Sequence, residues 1–207
     1  MNLKHFGDSY DIVKKSLLQW LSWFGPWAAH PMFTHEVTEA EAAAFSCFLG
    51  IKLVSTAVLG LDCDRQAYLS ACGTSRSIFL DPDTGVRLRT GEAKRATGFI
   101  FGDELVRLAN ARAQGLVLTF DQSLARGRER EQVQEKLDHF LAHGIHGFAY
   151  ISRASFLVLG QSGTLVCEAR TALLAASGLP AVRIVGATPP NTGLQPSAGS
   201  GFIGCRG

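Results

Sequence analysis

The stretch SIFLDPDTGVRL, Ser77–Leu88, decides the fold. Ile78, Phe79 and Leu80 form an unbroken apolar run, the pattern of a strand buried on both faces. The run meets Asp81-Pro82-Asp83-Thr84-Gly85. Pro82 fixes φ and has no N–H, so the chain leaves the sheet there. Gly85 admits a left-handed turn, and Asp83 and Thr84 can bond nearby backbone groups. Two readings of the carboxylates follow. Either they satisfy donors at a strand-to-loop turn, or Asp81 and Asp83 hold a substrate or metal ion at the rim of the sheet.

Working outward, strands and helices alternate. Tyr10, Val13, Leu17, Trp20 and Leu21 recur at three- and four-residue steps, which predicts a helix over 9–23, capped by Ser9 or Asp8 and stopped by Gly25-Pro26. Residues 27–33 predict a short strand. Thr38 and Glu41 fit a capping box that opens a helix to about Phe48. A strand over 51–55 and a short helix over 64–72 follow. Beyond the opening strand and a loop rich in Arg, Thr and Gly, residues 103–114 predict a helix with Leu105, Leu108 and Ala109 inward. LVLTF, 116–120, predicts a buried strand ending in Asp121. Val133, Leu137, Phe140 and Leu141 share one face of a helix over 129–143. The apolar runs 147–152 and 156–160 predict an antiparallel hairpin. A last helix, over 165–177, stops at Gly178. From Thr188 the chain is rich in Pro, Gly and Ser and predicts a mobile tail over 188–207, leaving one domain over 1–187. The fold class is α/β: a doubly wound, mostly parallel, Rossmann-like sheet covered on both faces, with a C-terminal antiparallel hairpin.

Composition bounds the function. Of 207 residues, 46% are hydrophobic and 18% charged, as in a globular chain with a full core. A net charge of +2 does not by itself argue for nucleic acid. Residues 87–130, however, hold nine Arg or Lys against five carboxylates, a face that is either solvated or turned to phosphates. Five scattered cysteines without a CxxC pair predict reduced thiols in a cytoplasmic protein. No apolar run approaches a membrane span, so no membrane partner is expected.

In sheets of this kind ligands bind at the carboxyl ends of the strands. Three such ends carry polar groups: Asp81 and Asp83; Asp121, Gln122 and Ser123; and His30, Thr34 and His35. Asp121 either caps the following helix or joins Gln122 and Ser123 on a ligand, with Arg126 on an anion. Asp81, Asp83 and Asp121 around Mg²⁺, with Arg126 and Arg128 on phosphate, would make a metal-dependent nuclease or phosphoesterase. The DxD of FLDPDTG also resembles the haloacid-dehalogenase phosphatases, where the first Asp is the nucleophile, with Thr119 as their second motif. Their further acidic motif has no counterpart here. In FGDSYDIVKK, Asp8, Asp11 and Lys15 lie near one helical face, with Asp11 and Lys15 as an i,i+4 pair. His30 and His35 read as polar loop residues. Trp20, Trp23 and Trp27 read as core. Gly102-Asp103-Glu104 begins a helix with acids suited to its dipole.

IFLDPDTG resembles the fourth motif of class I S-adenosylmethionine-dependent methyltransferases, (D/N)PP(Y/F/W), through its apolar strand and Asp81-Pro82. The hairpin resembles the sixth and seventh strands of that fold. FGDSYDIVKKSLL is similar to the AGNxADVLKH opening of bacterial ribosomal-RNA adenine-N6 methyltransferases at Gly7, Asp11, Val13 and Lys14. The chain also resembles a bacterial family with the pattern FGDxxDxxK … FLDPDxG. The likeness implies a methyltransferase-like enzyme using S-adenosylmethionine on nucleic acid. Gly7, Asp8, Asp11 and Lys14 would lie toward the cofactor, Lys14 near its carboxylate, and Asp81 near the target amino group. Departures stand beside it. HPMFTHE occupies the place of the family's glycine-rich loop, and Asp83 and Thr84 that of the second proline and the base-stacking aromatic. A binding protein on a methyltransferase-like fold without that loop is the third reading.

Overall fold

The computed structural model describes residues 3, 6–73, 75–89 and 93–186. The segment read as a tail, 188–207, lies outside them. In chain order the elements are α1 (Ser9–Trp20), β1 (Trp27–His30), α2 (Glu39–Leu49), β2 (Lys52–Leu53), α3 (Arg65–Ser70), β3 (Ser77–Leu80), β4 (Gly85–Arg87), β5 (Phe99–Phe101), α4 (Gly102–Asn110), β6 (Val117–Asp121), α5 (Glu129–Ala142), β7 (His146–Tyr150), β8 (Ser155–Gly160), α6 (Gly163–Ser177) and β9 (Ile184–Gly186). Among the described residues, seven strands form one sheet in the order β2-β1-β3-β6-β8-β7-β9. β2, β1, β3 and β6 pair in parallel. β8 is antiparallel to both β6 and β7, and β9 is antiparallel to β7. Five strands therefore run one way, and β8 and β9 the other.

β3 shows why its residues form a central strand. Ile78 and Leu80 enter the core shared with α3, α4 and α5, while Phe79 enters the core shared with α1, α2 and α6. All three are fully buried. Alternate side chains of a strand point to opposite faces, so a strand with a helical layer on each side has no polar position to offer. The helices start where their caps dictate. Asp8 accepts from the N–H groups of Tyr10 and Asp11 at the start of α1, Thr38 and Glu41 form the capping box of α2, and Asp64 caps α3.

Several expectations are corrected. β1 stops at His30 and β2 has two residues, because Pro31 ends the first and β2 is an edge strand. The loop after β3 contains β4 and β5, a separate parallel pair whose three-residue strands are too short to show a period. β9 went unread for the same reason. Trp23 is 88% exposed rather than core. The α-helix ends at Trp20, and the 3₁₀ turn Ser22–Phe24 that follows has a different period, which puts Phe24 inside and Trp23 out. Leu141 is likewise exposed. Lys15 does not pair with Asp11. It lies over the Phe48 ring, 4.9 Å from its centroid, and Asp11 pairs with Lys14.

His30 is also corrected: it is wholly buried at the end of β1. Its Nε2–H donates to the Tyr68 carbonyl (3.3 Å), and its Nδ1 accepts from the Met32 N–H (3.3 Å). Met32 reaches that position with a left-handed backbone, φ 49°. Both partners suit the neutral ring. Burial pushes its pKa down to about 4, opposed in part by the Tyr68 carbonyl. The unfolded chain therefore takes up this proton first as pH falls. Stability is complete above pH 6.5 and is lost between 6.5 and about 4. We expect a loss of roughly 3 kcal/mol across that window in urea unfolding, and a shallower slope in His30→Gln.

Candidate functional site

The carboxyl rim of the parallel strands holds two lysine–carboxylate clusters. The first joins α1 to β3. Lys14 Nζ donates to Asp11 Oδ1 and Asp81 Oδ2, each at 2.9 Å, and lies 4.9 Å from the centroid of the Phe120 ring. Asp11 Oδ2 accepts from the Gly7 N–H (2.8 Å). The Asp81 backbone continues the ladder, donating to the His30 carbonyl. Lys14 and Asp81 are 5% and 1% exposed, so this is an interior site. Burial would lower the Lys14 ammonium, but Asp81 and Asp11 outweigh it and hold its pKa above the ordinary value. Burial pushes the Asp81 carboxyl up, against the pull of Lys14. The two carboxylates share one ammonium, which leaves an unbalanced negative charge away from water.

The second cluster joins β6 to α5. Lys136 Nζ donates to Asp121 Oδ2 (2.6 Å), the Val86 carbonyl (2.9 Å) and Ser123 Oγ (2.9 Å), which uses all three of its N–H bonds. Asp121 Oδ1 accepts from the N–H groups of Val86 (3.0 Å) and Ser123 (3.1 Å). This ties β4 to β6. Gly85 makes the approach possible. Its φ is +134°, and a Cβ there would collide with Asp121 Oδ1 and lie 2.9 Å from both Asp121 Cα and the Gln122 nitrogen.

The rim thus gathers Gly7, Asp11, Lys14 and Asp81 in one cluster and Asp121 and Ser123 in another, while the Asp8 side chain caps α1. Asp83, Gln122 and Arg126 are exposed. The Gln122 N–H donates to the Thr84 carbonyl (3.0 Å), which fastens the DPDTG turn to β6. Among the described residues no three His, Cys, Asp or Glu side chains converge as metal ligands, so Asp81, Asp83 and Asp121 are not such a set. Met32 and Phe33, in the turn after β1, are wholly buried in the core.

Two hollows open at this rim. One, about 380 Å³, adjoins the second cluster and is lined by Thr84, Arg87, Ser123, Gln132 and Lys136 among others. The other, about 510 Å³, is lined by Arg126, Glu129, Ile151, Ser152, Arg153 and Arg183. A larger apolar hollow, about 1070 Å³, lies where α5 and α6 flank the amino end of β7, away from these polar groups.

Lys136 escaped the sequence reading, although a signal was present. It stands between Val133 and Leu137 on the face of α5 that enters the core, where a cation requires a buried partner. Glu104 is a second such case. It was read as a dipole charge, but it is 3% exposed, pairs with Arg65 (2.7 Å) and accepts from the Phe101 N–H.

Removing one partner of a buried pair strands the other. Lys14→Met is expected to cost about 3–5 kcal/mol in urea unfolding, and Lys14→Met with Asp81→Asn to recover more than half of it. Gly85→Ala is expected to cost about 1–3 kcal/mol through backbone strain and collision. Compared with known proteins, the chain matches no protein-family profile, no curated protein sequence and no solved structure.

Proposed function

We propose that the chain is a binding domain built on a methyltransferase-type sheet, with its rim carboxylates serving as internal struts. The strand order supports the scaffold. The second strand of the β7–β8 hairpin inserts antiparallel between β6 and β7, the arrangement expected of the last strands of class I methyltransferases.

One observation carries the binding reading over the catalytic one: each buried rim carboxylate already holds a lysine of the same chain, Asp11 and Asp81 sharing Lys14 and Asp121 holding Lys136. To face a cofactor carboxylate, Lys14 would have to give up Asp11 and Asp81. To receive a target amino group, Asp81 would have to emerge from 1% exposure. The turn after β1 presents Met32 and Phe33 as packed core where a glycine-rich turn would let a nucleotide approach. These residues are a poor fit for S-adenosylmethionine. For a Mg²⁺-dependent nuclease, Asp121 would have to exchange Lys136 and two backbone N–H groups for the metal.

Calorimetric titration with S-adenosylmethionine is expected to give no saturable heat. Mg²⁺ or Mn²⁺ is expected to leave the Tm unchanged. Saturable heat that Asp83→Ala or Gln122→Ala abolishes would overturn the reading in favour of a methyltransferase. A metal-induced rise in Tm that Asp83→Ala removes would overturn it in favour of the nuclease.

A further inference from the structure

The hollow of about 510 Å³ is assembled from three separate connections at the rim. Arg126 comes from the loop between β6 and α5, Arg153 from the turn between β7 and β8, and Arg183 from the turn that leads into β9. Two hydrogen bonds hold these connections together: the Ile151 N–H donates to the Arg183 carbonyl (2.8 Å), and the Arg130 guanidinium donates to the Val182 carbonyl (2.5 Å). All three arginines are exposed.

Several other described arginines are engaged. Arg65 holds Glu104, Arg76 the Gln114 carbonyl, Arg87 the Phe99 ring and Arg128 Glu131. The guanidinium groups of Arg126, Arg153 and Arg183 form no ion pair or hydrogen bond with another described residue. Glu129 is the acid in the hollow. Its carboxylate is held low first by the backbone N–H groups of Glu129 and Gly127, and less by Arg126. It therefore answers the start of α5 more than it answers the arginines. The positive end of that 14-residue helix opens on the same hollow.

We propose that Arg126, Arg153 and Arg183 form a docking site for the phosphodiester backbone of a nucleic acid. The proposal rests on the binding-domain reading and supplies its partner. Three forked donors brought from separate connections suit a run of phosphates, because guanidinium groups bind phosphate oxygens in pairs. Backbone contacts of this kind position a strand without reading its bases.

The test is fluorescence anisotropy of a labelled mixed-sequence oligoribonucleotide against the full chain over a range of salt. Saturable binding is expected, weakening linearly in log salt. Each of Arg126→Gln, Arg153→Gln and Arg183→Gln should reduce the slope by about 0.7 at unchanged Tm, and the triple variant should abolish binding. Lys52→Gln, on the opposite edge strand, should leave the slope in place. Absence of binding, or binding that the triple variant retains, overturns the proposal. Displacement by ATP or inorganic phosphate at equal phosphate concentration overturns it in favour of a small phosphorylated ligand. Heat on titrating S-adenosylmethionine would instead count against the binding-domain reading, and the three arginine substitutions should leave that signal unmoved.

Discussion

Lys14 is the residue on which the arrangement of the rim depends. Its ammonium joins Asp11, three residues away on α1, to Asp81, 67 residues away at the end of β3. Without that bridge two acids would sit in the interior with no cation between them. With it, the first helix is fixed over the point where the central strand leaves the sheet. Buried charges of this kind add little net stability over an apolar replacement, since desolvation offsets most of the attraction. What they add here is registry, because an off-register α1 would leave Asp81 unpaired. Lys136 does the same for β6 and α5 with a fuller set of partners, and in doing so it fixes the turn that follows Asp81.

The two clusters give the rim a sorted charge distribution. The buried rim carboxylates are held by lysines, while Arg126, Arg153 and Arg183 are exposed and form no ion pair with a described residue, Glu129 being the acid in the hollow with them. A net charge of +2 conceals this local sorting. A partner approaching the rim meets guanidinium groups and a helix start, while Asp81 and Asp121 lie beneath the surface.

Much of the architecture was legible in the residues. Unbroken apolar runs marked β3, β6 and β8, and caps marked α1 and α2, because burial on two faces and orphaned helix N–H groups impose local residue choices. The rim was legible as a place and not as a chemistry. Asp81 and Asp121 sit at the strand ends where a ligand would be sought, and an aspartate that binds a ligand has the same sequence signature as one that holds a lysine. The difference lies in which cation reaches it across the fold. Only the family likeness singles out Lys14, and nothing in the helix over 129–143 beyond its place between Val133 and Leu137 marks Lys136. The arginine cleft was harder still. Arg126 was noticed, but Arg153 and Arg183 join it only because β8 and β9 reverse direction and return their connections to the same edge.

The two margins of the main sheet are short: β2 has two residues and β9 three. A strand from another molecule would find few free amide and carbonyl groups to pair with at either margin, which limits both runaway stacking of copies and recognition by strand addition. Recognition of a partner therefore falls to side chains that project from the connections. These can change identity without disturbing the hydrogen-bond ladder beneath them.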